Sequence, residues 1–264
     1  MDTLDLAKKI RSHVLKMTSK GKSSHVGSAL SIADILAVLY TNIINIDPKD
    51  PNNDARDRFI LSKGHAGAAV YAVLAELGFF SKKILDTHYQ DGSILSGHVS
   101  HKGVPGVEFS TGSLGHGLSV AAGFALAAKR RALEFNSYAL LSDGELDEGS
   151  NWEAILFAPH HNLDNLTCII DYNKLQSLTT VKETLNLEPL KDKLISFGWN
   201  VFDIDGHNHI DIHNALTAKT NKPKFIIANT IKGKGVSFME NKVVWHYRSA
   251  NEEELSKGLK ELEE

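Results

Sequence analysis

The sequence is nearly without cysteine, and its charges almost balance. The only cysteine among the 264 residues is Cys168, so no internal disulfide can form and we expect a reducing compartment. Its place inside the apolar run LTCII favours a small buried side chain over a nucleophile. The formal net charge of −3 gives no electrostatic reason to expect nucleic acid as a partner.

Long apolar runs are also missing. No stretch approaches the roughly 18–20 apolar residues that a membrane span needs. The N-terminus, MDTLDLAKKIRSHVLKM, alternates charged and apolar residues at helical spacing and lacks the apolar core and cleavage site of a signal peptide. We therefore expect a cytoplasmic protein without a membrane partner.

What the sequence does contain is a series of short apolar strands that alternate with helical patterns. The predicted strands are RFILSK, SYALLS, LTCIIDY, WNVFDID and KFIIANT. Helical periodicity marks the segments between and before them, including SIADILAVLYTNII with Ser31 as its predicted N-cap. This order predicts an α/β fold whose parallel sheet has helices on both faces, as a single domain over residues 1–264.

Polar residues follow the predicted strands at the points where they end. Asp143 and Gly144 follow one strand, and Asn173 follows the next, 30 residues later, which is about one crossover unit. Ligands of open α/β sheets bind at this edge, and a carboxylate with amide and carbonyl oxygens suits Mg²⁺ or Ca²⁺ better than zinc. The alternative is that Asp-Gly and Asn are only turn formers. We expect Glu145 and Asp147 to favour a helix N-terminus instead of binding metal.

The 13 histidines are many for this length, and several lie beside glycines in loops. Those that would line a cleft are His25, His65, His98, His116 and His246. Without cysteine partners or a His-x-x-x-His pattern they do not indicate zinc. They could instead bind hydroxyls and phosphates and move protons near neutral pH.

Five segments, in order, resemble the N-terminal part of transketolases. They are SSHVGSALSIADIL, LSKGHAGAAVYAVL, GVEFSTGSLGHGLSVAAGFALA, SDGELDEGSNWEAILFAPHHNLDNLTCIIDYNKLQ and NTIKGKGVSFMENKVVWH. The fourth is similar to the thiamine-diphosphate motif, which begins Gly-Asp-Gly and ends at an Asn after the next strand. The resemblance covers nearly the whole chain and implies the thiamine-diphosphate-binding fold.

The resemblance also implies a role for each site residue. Mg²⁺, with Ca²⁺ or Mn²⁺ as substitutes, would be bound by Asp143, Asn173 and the carbonyl of Leu175. Thiamine diphosphate would contact His65, Gly112, Leu114, Gly144, Asn173 and His246. The substrate channel, with its proton transfers, would be lined by His25, His98 and His246. Glu148 would lie at a subunit interface and support the partner's catalytic glutamate.

The sequence departs from the family pattern in a few positions. Ser142 replaces the first glycine of the motif, where a small residue should still fit. Ser113 and His116 stand where many transketolases have Pro and Gln, so no role is assigned to His116. The residues VVWHYRS around His246 also differ from the commonest family sequence.

Full-length transketolases continue into a pyrimidine-binding domain, which carries the catalytic glutamate, and a C-terminal domain. Neither is present in the 264 residues, so the resemblance implies the N-terminal subunit of a split transketolase. It would transfer a two-carbon ketol unit from a ketose or its phosphate to an aldose, together with a second chain, in an assembly of two copies of each. Alternatives are the α subunit of a 2-oxo acid dehydrogenase, a deoxyxylulose-phosphate synthase-like enzyme, and a non-catalytic assembly subunit.

Overall fold

A five-stranded parallel sheet forms the centre of the computed structural model, which describes residues 2–263. Its strands are β1 (Arg58–Leu61), β2 (Ser137–Ser142), β3 (Leu166–Tyr172), β4 (Asn200–Asp205) and β5 (Lys224–Asn229). They lie in the order β1-β2-β3-β5-β4, and every pair is parallel. Ser142 lies opposite Asp171, so the carboxyl ends of β2 and β3 meet at one edge, as the sequence predicted.

The strands are connected and covered by helices, which within residues 2–263 are α1 (Thr3–Gly21), α2 (Val26–Ser31), α3 (Ala33–Asn42), α4 (Gly67–Glu76), α5 (Gly117–Arg130), α6 (Gly149–His160), α7 (Val181–Thr184), α8 (Leu190–Ser196), α9 (His209–Thr217) and α10 (Glu252–Glu263). The predicted N-cap at Ser31 is wrong, because Ser31 ends α2 and α3 begins at Ala33. The Ser31 hydroxyl is fully buried and donates to Asp171, 2.6 Å away, so it is not available to cap a helix.

Each strand supplies side chains to two separate cores, because successive side chains of a strand point to opposite faces. In β1, Phe59 and Leu61 pack in one core and Ile60 in the other. The first core is closed by α1 to α4, α9 and α10, and the second by α5, α6 and α8. Burial on both faces explains why the strands appear in the sequence as continuous apolar runs. The predicted fold class is therefore confirmed.

The residues between Thr87 and Gly117 form neither helix nor strand. The segment is nevertheless held tightly against the end of β1. The Val99 N–H donates to the Gly64 carbonyl at 2.8 Å, and the Thr111 hydroxyl donates to the Leu61 carbonyl at 2.5 Å. A Cβ at Gly64 would stand 2.3 Å from the Thr111 carbonyl oxygen, so only glycine permits this approach.

The last helix, α10, packs against α1 although its sequence, NEEELSKGLKELEE, is rich in charged residues. Gly258 and Leu262 are buried, and a Cβ at Gly258 would lie 3.2 Å from Leu15 of α1. None of the helices between residues 2 and 263 combines the length and the apolar character needed to cross a membrane.

Candidate active site

A cavity of about 250 Å³ opens at the carboxyl edge of the sheet. Its walls contain all but one of the site residues predicted from the sequence, namely His25, His65, His98, Gly112, Leu114, Asp143, Gly144, Asn173, Leu175 and His246. The exception is Glu148, which is exposed and precedes α6. The prediction that His116 lines the same cleft is wrong, because its side chain is exposed and does not line the cavity.

Asp143 is held at the end of β2 by two backbone amides. Its Oδ1 accepts from the Gly144 N–H at 2.8 Å, and its Oδ2 accepts from the Lys174 N–H, beyond β3, at 2.7 Å. Burial and the nearby Asp171 carboxylate raise the pKa of Asp143 to about 7, although the two amides and Lys63 oppose the rise. A cation bound at this carboxylate would favour its ionised form.

Asn173 follows β3, and a hydrogen bond to the Asp171 carboxylate sets the orientation of its side-chain amide. Its Nδ2 donates to Asp171 Oδ2 at 3.1 Å, and its Oδ1 accepts from the Leu175 N–H at 3.0 Å. Asp171 is fully buried and forms an ion pair with the fully buried Lys63. Burial opposes its ionisation, but Lys63 holds the pKa of Asp171 below its ordinary value. Because Nδ2 of Asn173 donates to the Asp171 carboxylate, the side-chain oxygen Oδ1 is the atom that can bind a cation.

Lys232 brings a second buried ammonium group to the cavity. It follows β5, is 1% exposed, and its Nζ donates to the carbonyls of Leu175 at 3.0 Å and Gln176 at 3.1 Å. The same Nζ lies 3.2 Å from His246 Nδ1. Burial and repulsion from Lys63 lower the pKa of Lys232 to about 8. A basic group in this position can attract an anion such as a phosphate.

Lys63 and Lys232 also line the cavity, and neither had a predicted role. A signal was present in the segments SKGH and IKGKG, where a lysine followed by a glycine lies at or just beyond the end of a predicted strand. Lysines are usually exposed, so the pattern alone does not distinguish a buried ammonium from a surface residue.

The four cavity histidines lie side by side. Ring centroids are separated by 5.0 Å between His25 and His65, 5.6 Å between His25 and His98, and 4.9 Å between His25 and His246. Burial, helped by His98 and the lysines, lowers the pKa of His25 to about 4. Burial and Lys232 lower the pKa of His246 to about 3, and burial places the pKa of His65 well below its usual range.

The backbone of His25 adopts a left-handed conformation, with φ of 74°. Such a conformation is uncommon for residues other than glycine and often occurs at functional sites. It is held here by a hydrogen bond from the His25 N–H to the His246 carbonyl, at 2.8 Å. This bond joins the start of α2 to the loop that follows β5.

The other acids of the segment SDGELDEGS do not line the cavity. Glu145 is fully buried and accepts from Ser62 Oγ at 2.5 Å, the Gly115 N–H at 3.0 Å and the Ser142 N–H at 2.9 Å. Burial raises the pKa of Glu145. Asp147 accepts from Gln176 Nε2 at 2.9 Å. Glu145 thus stabilises the first turn after β2, in agreement with its predicted role at a helix start.

The donor set fits a divalent cation bound together with a diphosphate. Asp143, Asn173 and the Leu175 carbonyl offer only oxygen, which Mg²⁺ and Ca²⁺ prefer, and so few protein ligands leave room for phosphate oxygens. In residues 2–263 no three or more His, Cys, Asp and Glu side chains are grouped as a metal site, so the carbonyl and amide oxygens are essential to this arrangement. The Gly144 N–H donates to Asp143 here, and its contact with a diphosphate stays a prediction.

Comparison with known proteins gives the class of this fold. The family model described as "Transketolase, thiamine diphosphate binding domain" matches residues 3–262. The chain superimposes on the transketolase of Leishmania mexicana with a TM-score of 0.95 at 29% identity, and on that of Campylobacter jejuni with 0.94 at 33%. The whole chain is covered in both cases, but it spans only 41% and 43% of those proteins. The fold is therefore that of a thiamine-diphosphate-binding domain.

Relatives of similar length make the assignment more specific. An apulose-4-phosphate transketolase subunit of Phocaeicola vulgatus is 40% identical over all of this chain and 95% of its own length. A 6-deoxy-6-sulfo-D-fructose transketolase subunit of a Clostridium species is 43% identical over all of this chain and 97% of its own. The chain belongs to the transketolase family, as its N-terminal, thiamine-diphosphate-binding part.

Proposed function

We propose that this chain is the cofactor-binding subunit of a split transketolase, which transfers a two-carbon ketol unit from a ketose to an aldose. The observation that carries the proposal is the convergence of Asp143, Asn173 and the Leu175 carbonyl beside two buried lysines, at one edge of a transketolase-like sheet. End-to-end similarity to two transketolase subunits supports the split organisation.

In this proposal the metal site consists of Asp143, Asn173 and the Leu175 carbonyl, and it holds Mg²⁺, for which Ca²⁺ or Mn²⁺ could substitute. Lys232 and Lys63 supply positive charge for the diphosphate. The remaining cofactor contacts come from His65, Gly112, Leu114, Gly144 and His246. Thiamine diphosphate supplies the electron sink for carbon–carbon cleavage.

The histidines of the cavity would bind the substrate. A neutral imidazole has one N–H donor and one nitrogen acceptor, so His25, His98 and His246 can each bind a hydroxyl group in either sense. Because the pKa values of His25 and His246 lie far below 7, these rings are uncharged and hold a free lone pair for a hydroxyl proton. Burial also makes them weak bases, so the proton transfers proposed for them require charge that develops on the substrate during the reaction.

The partner would be a second chain with a pyrimidine-binding domain and a catalytic glutamate, in an assembly with two copies of each chain. Glu148 is exposed at the start of α6, where it can reach another protein chain. The names of the two relatives contain a sugar phosphate and a sulfonated sugar. We infer a ketose with an anionic group as donor, and a cytoplasmic location.

The test is to combine the chain with a candidate partner chain that carries a pyrimidine-binding domain, and to measure ketol transfer from a panel of ketose phosphates and sulfonated ketoses. We expect transfer that depends on the partner, Mg²⁺ and thiamine diphosphate. Robust transfer by this chain alone would overturn the split organisation. Decarboxylation of pyruvate in place of ketol transfer would favour the 2-oxo acid dehydrogenase alternative.

A further inference from the structure

A cluster of charged and polar side chains lies outside the cavity, around the buried carboxylate of Asp34. Arg11 donates to both carboxylate oxygens, at 3.1 and 2.5 Å. His207 Nδ1 lies 2.7 Å from Asp34 Oδ2, and His209 Nε2 lies 3.1 Å from Oδ1. Burial favours the neutral acid, but the two histidines and Arg11 hold the pKa of Asp34 well below its usual range. Asp34 is therefore a carboxylate and accepts all of these bonds.

His207 connects this cluster to the backbone of the loop after β5. The Ile231 N–H donates to His207 Nε2 at 2.8 Å. A backbone amide can only donate, so Nε2 must carry the lone pair and the proton must be on Nδ1, where it is donated to Asp34. The two bonds thus fix both the tautomer and the ring orientation of His207.

The residue that follows this anchored amide is Lys232. Its own carbonyl accepts from the Asn241 N–H at 2.9 Å, and the Gly233 N–H donates to the Gly27 carbonyl at 2.9 Å. The backbone at residues 231–233 is therefore tied to three other parts of the chain. Two turn bonds add to these, from the Lys234 N–H to the Ile231 carbonyl at 3.1 Å and from the Val236 N–H to the Gly233 carbonyl at 3.3 Å. Only the bond at Ile231 depends on a side chain, that of His207.

We propose that His207 is a positioning residue for Lys232. Oriented by Asp34, it anchors the Ile231 amide and so places the Lys232 ammonium in the cavity, beside the Leu175 carbonyl. His207 itself does not line the cavity and would not touch the cofactor. The inference rests on the proposed function, because the diphosphate is the anion that Lys232 would meet.

His207→Asn separates this role from a general structural one. The shorter amide can still donate to Asp34 but cannot reach Ile231, whereas the longer side chain of His207→Gln can place an acceptor near the Ile231 N–H. His209→Ala is the matched control, because it removes one bond to the same Asp34 carboxylate and leaves Ile231 untouched. The probes are thiamine diphosphate with Mg²⁺, titrated into the assembled complex, and amide hydrogen exchange at residues 231–233 of the full chain.

We expect His207→Asn to weaken thiamine-diphosphate binding about five- to tenfold, as the loss of one hydrogen bond would, and to speed exchange at Ile231. His207→Gln should recover most of the affinity, and His209→Ala should change neither quantity. Unchanged exchange at Ile231 in His207→Asn would overturn the proposal, as would an equal loss of affinity in His209→Ala. If the wild-type complex bound no thiamine diphosphate, the proposed function would fail, while the exchange measurement would still decide whether His207 anchors the loop.

Discussion

Replacing Asp143 by Asn tests the metal site most directly. Among residues 2–263, Asp143 is the only acidic side chain that lines the cavity. Asn has nearly the same size and can still accept one of the two N–H groups, from Gly144 or Lys174, but it removes the negative charge. Changes in residues that merely support a metal ligand cost about 10–100-fold in affinity. We therefore expect Asp143→Asn to weaken Mg²⁺ binding by more than about 100-fold, which is about 3 kcal/mol.

The assay is a calorimetric titration of Mg²⁺ into the complex in the presence of thiamine diphosphate, with a urea unfolding curve to show that the variant is folded. Asp147→Asn is the control, because Asp147 belongs to the same turn and bonds to Gln176 but does not line the cavity. The affinity of Asp147→Asn for Mg²⁺ should stay within about threefold of the wild-type value, because the loss of one weak hydrogen bond would change it by no more than that. Mg²⁺ affinity within about tenfold of the wild type in Asp143→Asn, or an equal loss in Asp147→Asn, would refute the assignment.

Two further predictions concern stability. His88 is 2% exposed, and neither ring nitrogen has a hydrogen-bond partner of good geometry within residues 2–263. Burial lowers its pKa from 6.5 to about 4. Above pH 6.5 the ring is neutral in both states, and the lowered pKa does not change the free energy of unfolding. Between pH 6.5 and 4 the ring is protonated in the unfolded chain but not in the folded protein, so about 3 kcal/mol of stability is lost as the pH falls. In urea unfolding at pH 7 and 4.5, the free energy of unfolding of His88→Leu should therefore fall less between the two pH values than that of the wild type. An equal fall in both proteins would contradict the prediction. Gly64→Ala should destabilise the fold by about 1–3 kcal/mol, because the methyl group meets the Thr111 carbonyl. Gly123→Ala, in α5, should instead stabilise it by about 0.5–1 kcal/mol, because Ala loses less backbone freedom in a helix and, within residues 2–263, the new Cβ meets no atom within 4 Å beyond its chain neighbours and the nearby backbone of its own helix. Thermal unfolding distinguishes the two, and shifts of the same sign would show that the packing argument is wrong.

The parallel sheet could be predicted because strands buried on both faces leave continuous apolar runs in the sequence. The positions of Asp143 and Asn173 followed from the same logic, since β2 and β3 are neighbours in both sequence and sheet. Local sequence patterns predicted helix boundaries less well where a buried polar contact determines the structure. The division between α2 and α3 is an example, because the Ser31 hydroxyl bonds to Asp171, 140 residues away.

The supporting groups of the site could not be predicted for a related reason. The bond between His207 and Asp34 joins residues 173 positions apart, and the sequence offers no local sign of it. Lys232 resembles an ordinary surface lysine until the fold encloses it. A sequence can suggest which side chains end at the edge of a sheet, but their tautomers, ion pairs and burial depend on the packing of distant segments.

The low pKa values of His25, His65 and His246 divide the cavity into two kinds of surface. The wall that these three rings form is uncharged near neutral pH. The ionisable groups that remain in the cavity include Lys232 and Asp143, whereas Lys63 is paired with Asp171. The hydroxyl groups of a sugar chain can therefore lie along the uncharged wall without an electrostatic cost, while an anionic group is attracted to Lys232. Moderate acidification would leave His25 and His246 uncharged. Asp143, whose pKa is raised to about 7, is instead a cavity group whose charge changes between about pH 5 and 7.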